Sequence, residues 1–155
     1  SADLLSINIS KSLVAWKNNK SDEAINYLKE LLEESETTYL YETLTSLLIV
    51  NNKLDDALII IDKGLNYNDT SNVLKSNFAE ANYLLGNYNV AEVKFKELVD
   101  SNVSFMEPYY YLGLILLNNN ENDAALEILK KATLFNDSLV SLVNCEKIKN
   151  LITSI

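Results

Sequence analysis

An all-α array of antiparallel helix pairs is the fold this 155-residue sequence predicts, on three observations. First, alanine recurs in one local context at Ala57, Ala91 and Ala125, spaced by 34 and 34, with an earlier copy at Ala24 that lies 33 before Ala57. Second, five residues before each alanine stands Asn19, Asn52, Gly86 or Asn120, the residue types that tolerate the left-handed backbone ending a helix. Third, four residues after each comes Leu28, Ile61, Phe95 or Leu129, one turn further along an apolar face. A fixed period with helix punctuation is the mark of a repeat array, in which stacked neighbours bury one continuous core.

The elements follow in chain order. Helix pairs are expected near 5–18 and 21–34, 38–51 and 54–66, 72–85 and 88–101, then 106–118 and 121–134. Asp22, Asp55, Asn89 and Asp123 stand two before each alanine, suited to the cap or first turn of the second helix. Twelve before each come Ser12, Thr45, Ala79 and Gly113, small enough for two helices to approach closely. Pro108 falls in a first turn, where a missing N–H costs little. A ninth, capping helix is expected at about 138–153, with Leu139, Leu142, Val143, Ile148, Leu151, Ile152 and Ile155 as one apolar stripe. The expected organisation is a single domain of repeats 5–37, 38–71, 72–105 and 106–137 plus this cap.

The pattern resembles the tetratricopeptide repeat family over roughly residues 5–137. Residues 78–91, with Ala79, Tyr83, Leu84, Gly86, Tyr88 and Ala91, lie closest to that consensus, and Tyr109, Leu112, Gly113, Ala125 and Ala132 of the fourth unit nearly as close. The first unit departs, with Asn8 and Lys11 at phases usually apolar, and the family's repeat-ending proline is missing throughout. The resemblance implies a right-handed superhelical solenoid whose first helices line a concave groove, and it implies a non-catalytic scaffold for protein–protein interaction.

Transferred by phase, the family's groove positions fall on Ile9, Leu13 and Trp16, on Tyr39, Glu42, Thr43 and Ser46, on Val73, Asn77, Glu80 and Tyr83, and on Glu107, Tyr110, Tyr111 and Leu114. The residues expected to bind a partner are Trp16, Tyr39, Glu42, Asn77, Glu80, Tyr83, Glu107, Tyr110, Tyr111 and Leu114. Aromatics offer rigid contact area, and carboxylates favour a neutral or basic peptide or helix. One subclass of the family grips C-terminal carboxylates of chaperone tails with lysine, asparagine and arginine. At the matching phases stand Glu42, Ser46, Asn77, Glu107 and Tyr111, so a tail carboxylate would meet like charge and that ligand is rejected.

Composition narrows the chemistry. All 13 cations are lysines, against 22 acids, giving a net charge of −9, and Arg, His and Gln are absent. Without histidine and with one cysteine, Cys145, neither a Ser-His-Asp nor a Cys-His arrangement exists, and no ordinary zinc site. The three glycines form no phosphate loop, and a chain at −9 is repelled by nucleic acid. No catalytic residue, metal or cofactor is therefore expected, nor any enzyme activity. No segment approaches the ~20 apolar residues that span a bilayer, and no signal peptide is visible, so a cytoplasmic setting is expected. The expected function is an interaction module holding a partner segment in its groove. The alternatives are a secretion chaperone of the same repeat type for hydrophobic clients, and a self-assembling scaffold segment that associates through 139–155.

Overall fold

The computed structural model describes residues 2–155, with side chains described from residue 3 onward. Among these the secondary structure is helical only: α1 (Ala2–Lys17), α2 (Ser21–Glu34), α3 (Thr38–Val50), α4 (Leu54–Tyr67), α5 (Asn72–Leu84), α6 (Tyr88–Asp100), α7 (Glu107–Asn118), α8 (Asn122–Ala132) and α9 (Cys145–Ser154). Sequence neighbours pack as antiparallel pairs, α1 on α2, α3 on α4, α5 on α6 and α7 on α8. Contacts cluster into two compact units, residues 1–71 and 72–155.

The turns explain why the helices stop where they do. Asn19, Asn52, Gly86 and Asn120 all take the left-handed conformation, with φ of 62°, 57°, 88° and 63°. At each, the next amide reaches back five residues: Lys20 to Ala15, Lys53 to Leu48, Asn87 to Asn82 and Glu121 to Leu116, at 2.8–2.9 Å. This six-to-one hydrogen bond satisfies a carbonyl that the helix end would otherwise orphan. A fifth copy, which the period alone did not reveal, lies between α6 and α7, where Asn102 has φ 54° and Val103 N–H donates to Leu98 O.

Within each pair, the periodic positions form the seam. Ala24, Ala57, Ala91 and Ala125 are buried, as are Leu28, Ile61, Phe95 and Leu129. The small residues face them. Ser12 Oγ donates to Ala24 O at 2.8 Å, joining α1 to α2 inside the first unit. At Gly113 a side-chain carbon would stand 2.5 Å from Leu129 Cδ2, so α7 and α8 are closer than any other residue permits without repacking. The second unit's core runs from Ala79 and Phe95 through Met106 and Tyr109 to Val143 and Ile148.

The C-terminal cap departs from expectation. α9 begins at Cys145 rather than near 138, and residues 133–144 are non-helical. Two side chains fix that start: Asn144 caps α9 by accepting from Lys147 N–H at 2.8 Å, and Asp137 Oδ1 accepts from Cys145 N–H at 2.7 Å. Leu139 and Leu142 consequently stand exposed outside any helix. Val143 and Ile148 are buried, and Leu151 and Ile152 pack partly against the same core. The continuous stripe expected over 139–155 is therefore broken, and much of its apolar surface is covered by its own chain. The first helix differs the other way, beginning at Ala2 instead of near residue 5.

Candidate functional site

The residues singled out by phase lie on the first helices of the pairs, and their burial separates them into two sets. In the first unit, α1 carries Trp16, half-buried with Lys17 Nζ 4.6 Å from its ring, and α3 carries Tyr39, 56% exposed. Glu42, one turn further along α3, is part-exposed and accepts a hydrogen bond from Ser71 Oγ at 2.7 Å. Ile9 and Thr43, by contrast, are buried.

In the second unit the same phases build a network. Tyr111 of α7 stacks on Phe95 of α6 with ring centroids 5.3 Å apart and an interplanar angle of 11°. Its hydroxyl donates to Glu80 Oε1 of α5 at 3.0 Å. Tyr83 and Tyr110 both lie 5.0 Å from the Tyr111 ring, and Tyr88 meets Tyr83 edge-on. Glu107 Oε1 accepts from Ser141 Oγ at 2.8 Å. Lys147 of α9 holds its ammonium 5.5 Å from the Tyr110 ring centroid, a cation–π distance, and donates to Leu142 O.

Burial decides what each can do. Tyr110 and Tyr111 are 6% and 3% exposed, so they belong to the core of the unit more than to its surface. Asn77 and Glu80 are buried beside them, while Tyr83, Glu107 and Leu114 keep part of their surface in solvent. The Tyr109-Tyr110-Tyr111 run is thus wholly buried, with Tyr109 hydroxyl donating to Val103 O at 2.8 Å. Six of the ten partner-binding candidates are accessible to a partner: Trp16, Tyr39, Glu42, Tyr83, Glu107 and Leu114.

The three acidic candidates share a feature that spacing did not reveal. Glu42, Glu80 and Glu107 each accept a hydroxyl from a residue further along the chain, Ser71, Tyr111 and Ser141. The hydroxyls lie 29, 31 and 34 residues after their acids, so no common spacing marks the pairs. These bonds staple successive elements within each unit. They also hold the part-exposed carboxylates Glu42 and Glu107 in place, with lone pairs left to accept more donors.

Glu80 has the most perturbed carboxyl. Burial chiefly, then the charge of Glu107, pushes its pKa up to about 8 from an ordinary 4.5, against the opposing pull of the Tyr111 hydrogen bond and Lys147. At neutral pH it is a neutral carboxylic acid. The Tyr111 phenol is held protonated well above its ordinary range, by burial first and then by Glu80. Among the described residues no group of three or more His, Cys, Asp or Glu side chains is placed to hold a metal ion, and no helix is long and apolar enough to cross a membrane.

The family model described as tetratricopeptide repeat matches residues 5–38 and 107–138. No curated protein matches the sequence. Among solved structures, TTC0263, a thermophilic protein of this repeat class from Thermus thermophilus, is similar over 96% of this chain and 79% of its own, at 15% identity and a TM-score of 0.74. MamA from Desulfovibrio magneticus RS-1 is similar over 83% of this chain and 73% of its own, at 19% identity and a TM-score of 0.65. A tetratricopeptide repeat protein from Parabacteroides merdae is similar over 96% and 65%, at 20% identity and a TM-score of 0.65. At such identities the likeness is one of fold.

Proposed function

We propose that this chain, matched by the tetratricopeptide repeat family model over residues 5–38 and 107–138 and sharing the fold of proteins of that class, is a scaffold for protein–protein interaction that holds a peptide or helix of a partner protein against the first helices of its pairs. The observation that carries this reading is the chemistry of those helices. Accessible aromatic side chains (Trp16, Tyr39 and Tyr83) share the first-helix phases with carboxylates Glu42 and Glu107, each fixed by a hydroxyl.

The mechanism is recognition by shape and charge. Aromatic side chains give contact area at small entropic cost because they have few torsions to fix. Glu42 and Glu107 are pre-positioned acceptors, which favours lysine, arginine or amide donors on the ligand and disfavours a carboxylate. Tyr110, Tyr111, Asn77 and Glu80 act from beneath, fixing the helices that present the outer residues. The partner class is a neutral or basic protein segment.

Affinity capture from native lysate, with mass-spectrometric identification, tests the proposal. The wild-type chain is set beside a Trp16→Ala, Tyr39→Ala double variant, whose altered side chains are accessible enough to leave the helical circular dichroism intact. A partner retained by the wild type and lost by the variant supports the reading. Equal recovery from both removes the first-helix surface of the first unit from it.

A further inference from the structure

Lys147 places a cation among the rings and acids of the second unit. α9 projects its ammonium over Tyr110 of α7, 5.5 Å from the ring centroid. Tyr111 meets the Tyr110 ring edge-on at 5.0 Å, and Tyr83 lies 5.0 Å from Tyr111, so the ammonium stands at one end of a run of three rings. Two carboxyl groups share these surroundings. Glu107 precedes Tyr110 by three residues on α7, which puts both on one side of that helix, and Ser141 Oγ fixes its Oε1 at 2.8 Å. Glu80 of α5 accepts from the Tyr111 hydroxyl, and its carboxyl feels the charges of both Glu107 and Lys147.

This is a seat for a cation, and its occupant is loosely held. The face of an aromatic ring attracts an ammonium or guanidinium, and a fixed carboxylate beside it adds to the attraction. The Lys147 side chain is exposed, and among the described residues it belongs to no ion pair. Its hydrogen bond to Leu142 O is long, at 3.4 Å. A cation–π contact at an exposed site is weak. The helix that carries the lysine is anchored without it: Asn144 caps α9 through the backbone N–H of residue 147, and Ile148 is buried in the core of the unit. The flexible lysine stem can therefore swing off Tyr110 while α9 stays in place.

We propose that the face of Tyr110 beside Glu107 and Glu80 is a subsite for a lysine or arginine side chain of the partner, and that Lys147 is a built-in competitor which the partner displaces. This rests on the reading that a partner lies along the first helices, and it names one side chain that the partner brings. Tyr110 is 6% exposed with Lys147 over it, so its ring becomes available to a ligand only as the lysine leaves. Lys149 is the natural control. It is exposed on α9 and carries the same charge, but two residues turn it roughly 200° around the helix axis from Lys147.

The test titrates the whole chain with Nα-acetyl-lysine methylamide, which offers one ammonium on a neutral backbone, beside its uncharged norleucine counterpart. Binding is read from the amide NMR shifts of Glu80, Tyr110 and Tyr111. Lys147→Ala is expected to tighten the lysine probe by about fivefold, the scale of an exposed cation–π contact. Lys149→Ala removes the same charge and should change it by less than about twofold, because a charge in solvent is screened. Glu107→Gln, which keeps an acceptor for Ser141, should weaken the probe in the Lys147→Ala background. Equal tightening by the two lysine variants overturns the proposal. So do norleucine binding as strong as lysine binding, absence of saturable shifts in Lys147→Ala, and binding that Glu107→Gln leaves unchanged. Any of these, beside capture that still depends on Trp16 and Tyr39, strikes the subsite alone; capture that ignores those two residues strikes the first-helix reading instead.

Discussion

Replacing Glu80 by glutamine is predicted to stabilise the protein at neutral pH, although it alters a buried, hydrogen-bonded residue. The amide side chain keeps an acceptor for the Tyr111 hydroxyl, which lies 3.0 Å from Oε1 of the glutamate, and it never ionises. The wild-type carboxyl titrates at about 8 when folded and near its ordinary 4.5 when unfolded. Between those values the unfolded chain has released the proton and the native chain still holds it. Stability therefore falls with rising pH by roughly 1.4 kcal/mol per pH unit, is fully present below 4.5 and is flat again above 8. The loss amounts to about 3 kcal/mol at pH 7 and about 5 kcal/mol above pH 8, a large share of the ~5–15 kcal/mol typical of a whole domain. Urea denaturation of both proteins, followed by circular dichroism at pH 4.5, 6, 7 and 8.5, isolates Glu80, because the other carboxylates cancel in the difference. The variant's advantage should be near zero at pH 4.5, grow through neutrality and level off above pH 8. An advantage that does not change with pH, or a variant less stable at pH 7, would refute the reasoning.

Further substitutions test the packing and the turns. Gly113→Ala forces a carbon to 2.5 Å from Leu129 Cδ2, and should lower stability by about 1–3 kcal/mol in thermal melts; Leu129→Ala should cost less in that background than in the wild type, because it also relieves the clash. Asn52→Ala and Asn120→Ala should each cost about 1 kcal/mol, while the glycine variants stay within a few tenths, since both residues sit at positive φ. Phe95→Ala removes the ring under Tyr111 in a fully buried seam, with an expected loss of about 3–5 kcal/mol in the urea midpoint analysis.

The helix pairs were legible because their punctuation is local. An asparagine that must turn left-handed, an alanine one turn inside the next helix and an apolar residue one turn beyond it are all set by backbone sterics and period. The cap was not legible in the same way. Its apolar residues suit a helix from 138, but Asn144 and Asp137 bind the amides at its true start, and that choice between competing caps depends on how the segment packs. The candidate site divides similarly. Phase placed Tyr110, Tyr111 and Glu80 on the first helices, yet phase carries no depth, and the packing of Phe95, Ser141 and Lys147 around them determined which would be buried. Tyr39 and Glu42, on a helix with fewer aromatic neighbours, stayed accessible.

The most direct test of partner recognition by the first helices is hydrogen–deuterium exchange on the captured complex. If a partner segment lies along those helices, protection on binding should appear in peptides covering α1, α3, α5 and α7, around Trp16, Tyr39, Tyr83 and Leu114, and be absent from α4, α6 and α8. Protection confined to the second helices, or to residues 133–155, would contradict it.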